Sequence, residues 1–134
     1  MKIPRNAVIA VVDGEKLNLF HNTGDEGAPN LSALPDADVS TQNKGSGGRH
    51  QSSSANPSDS QQDEDSFAAG VAEVLNARVL SGKIDDLIVI AAPRTLGELR
   101  KHYHKTLEGK LVGELSKDLT GHSTDDIAMA IAAA

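Results

Sequence analysis

Arg94 stands where a cation is electrostatically out of place. It follows Pro93 directly and opens a segment whose Leu96, Leu99 and Tyr103 recur at helical spacing. Proline fixes φ and lacks an N–H, so it suits the first turn of a helix, where that donor has no intrahelical partner. The first turn is also the positive end of the helix dipole, so an arginine there calls for an anionic partner. The segment Pro93, Arg94, Leu96, Gly97, Glu98 and Arg100 therefore reads as an interaction or anion-binding edge. Packing accounts for part of it: Leu96 and Leu99 fill a core, and Gly97 lets the helix approach a sheet closely. Arg94 and Arg100 are the residues that packing does not require. Lys117 and Asp118 extend the candidate binding set, Asp118 with a second role as a local cap.

Other chemistry is weighed against plain structural roles. Gly45-Ser-Gly-Gly-Arg-His-Gln51 is either a Gly/Ser linker or a mobile loop that lets a partner approach its backbone, with Arg49 and His50 adding positive charge. Asp13, Glu114, Asp118, Asp125 and Asp126 invite a metal-dependent nuclease reading. Against it, Asp13 precedes Gly14 as a turn residue, and Asp125 and Asp126 suit a helix start. His102 and His104, two apart, do not share a helix face, and His21, His50 and His122 supply no zinc spacing. There is no Gly-x-Ser-x-Gly elbow and no phosphate-binding Gly-Lys-Ser/Thr loop. Neither a metal nor a cofactor is expected.

The elements that must position these residues follow from patterning. Residues 87–92 are an unbroken, β-branched apolar run, which predicts a strand buried on both faces that feeds straight into the Pro93 helix. Residues 7–12 form a second such run. Asp13-Gly14 follows, then residues 16–21 alternate polar and apolar, which predicts a hairpin through turn residues tolerant of positive φ. Leu31, Leu34 and Val39 suggest a short third strand. Residues 41–66 have hardly an apolar side chain, so they read as a flexible or disordered internal loop. Asp63 to Ser66 supply acids and a cap before Phe67, Val71, Val74, Leu75, Val79 and Leu80, an apolar helical stripe ending near Gly82. Residues 111–116 predict a strand, and Ser123 to Asp126 cap a final helix over 127–133. The order implies one α/β domain over 1–134: a mixed sheet of about five strands, an N-terminal hairpin and three helices.

Composition narrows the functions. Phe20, Phe67 and Tyr103 are the only aromatics, so the core is aliphatic, and the lack of cysteine removes disulfides and thiolate metal sites. A formal charge of −6 disfavours non-specific binding to nucleic acid, although a local basic patch is compatible with that total. The residues after Met1 contain no long apolar run and no segment reaches membrane-spanning length, which implies a soluble, cytoplasmic protein without membrane insertion.

Residues 91–100, with Pro93-Arg-Thr-Leu-Gly-Glu-Leu-Arg100, and residues 112–120, with Lys117-Asp-Leu-Thr120, resemble the bacterial host-attachment protein family. The resemblance extends to the Asp13-Gly14 hairpin and the helix at Phe67. Its members are described as required for attachment to host cells, and they are similar to the middle domain of archaeal and eukaryotic peptide-chain release factors. That implies a ribonuclease-H-like sheet and a ribosome or tRNA as partner. In the release factors a Gly-Gly-Gln loop before the first long helix promotes peptidyl-tRNA hydrolysis. Gly47 and Gly48 match its glycines here, but Arg49 stands at the glutamine position and Gln51 comes two residues late. The resemblance thus implies a non-enzymatic binding protein, with release-factor-like hydrolysis through Gly47, Gly48 and Gln51 as the alternative and a metal-dependent nuclease as a further one.

Overall fold

A computed structural model describes residues 1–39 and 57–134. Two apolar runs become the adjacent central strands of one sheet. β1 (Val8–Val12) and β4 (Leu87–Ala91) are buried along their whole length and pair in parallel. β2 (Leu17–Asn22) is antiparallel to β1, with Val12 opposite Leu17, and β3 (Leu31–Ala33) extends it on the same side. β5 (Leu111–Ser116) lies parallel to β4 on the other side, giving the order β3-β2-β1-β4-β5. The hairpin forms, but not through positive φ at Gly14, which is outside the left-handed region. Instead the Asp13 carboxylate accepts the N–H groups of Glu15 at 2.7 Å and Lys16 at 2.5 Å, a side-chain-closed turn. A Cβ on Gly14 would meet Glu64 Cγ at 2.8 Å, so the turn sits directly against a helix.

That helix, α1 (Pro57–Leu80), begins ten residues before Phe67. Residues 57–66, expected in the loop, are its opening turns, and Asp63 to Ser66 lie inside it rather than capping it. Once an apolar stripe anchors a helix, each further turn costs little, so polar turns propagate without leaving a hydrophobic signal. Its C-terminus is as expected: Gly82 takes φ +82°, and the N–H groups of Gly82 and Lys83 return to the carbonyls of Val79 and Arg78. The remaining helices are α2 (Pro93–Arg100), α3 (Lys105–Lys110) and α4 (Thr124–Ala133). The described residues therefore hold four helices instead of three. The extra one, α3, buries only Leu107 and is too short to show a period.

The alternation of side chains along each strand divides the core into two layers. Val8, Ala10 and Val12, with Leu87, Val89 and Ala91, face Ala68, Val71, Ala72, Leu75 and Val79 of α1, together with Leu96, Leu99 and Leu107. Ile9, Val11, Ile88, Ile90 and Leu115 face the opposite way, toward Ile127 and Ile131 of α4. The two helical crossovers, β3 to β4 through α1 and β4 to β5 through α2 and α3, step in one direction on one face of the sheet, so they share a hand.

Candidate functional site

The strand-to-helix junction forms as the residues require. Ala92 is the extended N-cap of α2, without a capping side chain, and Pro93 is the first helical residue. Leu96 and Leu99 point into the core, and no acidic residue occupies the first turn. Arg94 is exposed and makes no ion pair among the described residues.

Gly97 differs from expectation. It is exposed, and a Cβ built on it would meet nothing within 4 Å, so it does not serve packing on the sheet. An interior helical glycine costs about 1 kcal/mol relative to alanine, a cost that packing does not recover here. Arg100 also changes role. Its Nε and Nη2 donate to Glu114 Oε1 at 3.0 and 2.7 Å, which ties α2 to β5. This hydrogen-bonded partner holds the guanidinium above its ordinary pKa. Glu114 Oε1 is thereby engaged by Arg100.

Beside this pair lies Tyr103, which the sequence places on the helical stripe but which sits in the link between α2 and α3. The Asn76 side chain fixes that link. Its amide nitrogen donates to the His102 carbonyl at 2.9 Å, and its Oδ1 accepts the His104 N–H at 3.0 Å. Tyr103 Oη and Glu114 Oε2 are both buried without a hydrogen-bond partner among the described residues. Burial first, and the Glu114 charge second, push the Tyr103 phenol well above its usual range, with Arg100 pulling the other way. Lys101 and His102 turn back onto Glu98 at 3.0 and 3.3 Å. The Lys101 hydrogen bond is the main reason the Glu98 carboxyl lies below its ordinary value; partial burial opposes it, and His102 adds to it.

Lys117 and Asp118 follow β5 at the same C-terminal edge of the sheet where Arg94 follows β4. Lys117 is exposed, and Asp118 Oδ1 accepts the Thr120 N–H at 3.2 Å, a local turn. Gly47, Gly48, Arg49 and Gln51 lie outside the described residues. The five acids of the nuclease reading do not converge. Asp13 closes the hairpin, Glu114 holds Arg100, Asp118 holds Thr120, and Asp125 and Asp126 open α4. Among the described residues no group of three His, Asp or Glu side chains is placed to hold a metal ion.

The stretch that carries α2, α3 and β5 is basic in sequence. Residues 94–117 carry six of the 13 Lys and Arg residues and three of the 19 acids, a net +3. The remaining seven cations and 16 acids leave the rest of the chain at −9. Arg94, Arg100, Lys101, Lys105 and Lys117 are all exposed in that stretch. Sequence reasoning named Arg94, Arg100 and Lys117 but missed Lys101 and Lys105. A running charge count along the chain is the signal that finds them. No helix of the described residues is long and apolar enough to cross a membrane. No curated protein matches the chain. A family model does match, over residues 6–131, and by it the chain belongs to bacterial archaeo-eukaryotic release factor family 12.

Proposed function

We propose that this protein is a non-enzymatic binding protein of the translation apparatus, associating in the cytoplasm with the ribosome or tRNA. The observation that carries this reading is the charge division of the chain, +3 over residues 94–117 against −9 elsewhere. RNA binding needs a local field of positive sign, not a positive total, because screening confines each charge to about a Debye length of 10 Å. Arg94 supplies a cation whose site in the first turn of α2 is satisfied by an external anion. Family membership over 6–131 supports a translation-related partner, and the family name is that of release factors. The resemblance of the Pro93 and Lys117 segments to host-attachment proteins fits the same reading. A protein that acts on translation alters attachment indirectly, through what the cell synthesises.

Sedimentation with purified ribosomes tests this. In a sucrose gradient at low salt the chain travels with the ribosomal fractions and returns to the top at high salt. A chain that stays at the top at low salt overturns the reading.

A further inference from the structure

We draw no further inference here: the strongest candidate, the unpaired outer edge of β5 between Lys110 and Lys117, carries nothing, because its flanking lysines and the bulge at its start guard a sheet edge as readily as they would attract a partner, and nothing in the structure shows what covers it.

Discussion

Asn76→Ala tests how the basic surface is held on the fold. The Asn76 carboxamide is 6% exposed and makes two hydrogen bonds, to the His102 carbonyl at 2.9 Å and from the His104 N–H at 3.0 Å. These bonds bracket Tyr103 and join the end of α2 to the start of α3. A typical intramolecular hydrogen bond contributes about 0.5–1.5 kcal/mol net, so losing both costs about 1–3 kcal/mol. Water reaches the exposed His102 and His104 once the amide is gone, which places the value near the middle, about 2 kcal/mol. For a chain of this size that lowers the melting temperature by roughly 6–10 °C. Urea denaturation followed by circular dichroism gives the free energy directly, with the midpoint falling and the m-value unchanged. Glu73→Ala, exposed on the same helix, is the control and stays within about 0.5 kcal/mol. An Asn76→Ala variant as stable as that control refutes the clamp.

Further outcomes follow from other contacts. Tyr103 is the only tyrosine and there is no tryptophan, so absorbance near 295 nm, a band of about the phenolate alone, reports its ionisation. The folded chain ionises above the ordinary phenol value of 10.0. Its folded pKa is raised, so this contribution to stability is complete below that value and is lost as pH rises from it through the folded pKa. Glu114→Gln brings the ionisation down by removing the charge that adds to burial, and an unchanged titration contradicts that cause. Ser123→Ala removes the side-chain bond to the Asp126 N–H at 3.1 Å and costs about 1 kcal/mol in the same urea assay; a loss below a few tenths counts against the cap. Peptidyl-tRNA incubated with the chain stays intact, whereas cleavage abolished by Gln51→Ala replaces the binding reading with the hydrolase alternative.

The sheet was legible in the sequence because its signals are local. Residues 87–92 and 7–12 are apolar throughout, and strands buried on both faces leave no other pattern. Ser123 as the N-cap of α4 and Gly82 beyond α1 follow from capping chemistry. The early turns of α1 and the whole of α3 were not legible, since residues 57–66 offer no apolar period and α3 is only six residues long. Of the candidate site, Arg94 could be found from its place after Pro93, because the conflict with the helix dipole is a one-residue argument. Arg100 could not be assigned, because its partner Glu114 is brought to it only by the pairing of β5 with β4. Asn76 carried a signal that went unused: a polar residue four after Ala72 on the buried side of α1 needs internal partners. Gly97 was misread because sequence does not say which face of α2 the sheet covers.

The most direct measurement is the salt dependence of ribosome binding by the intact chain. With the basic stretch facing RNA, the logarithm of the association constant falls linearly with the logarithm of salt concentration, with a slope of about −0.7 to −0.9 for each phosphate neutralised. Binding that is indifferent to salt, or no binding at low salt, contradicts an RNA-facing role for residues 94–117.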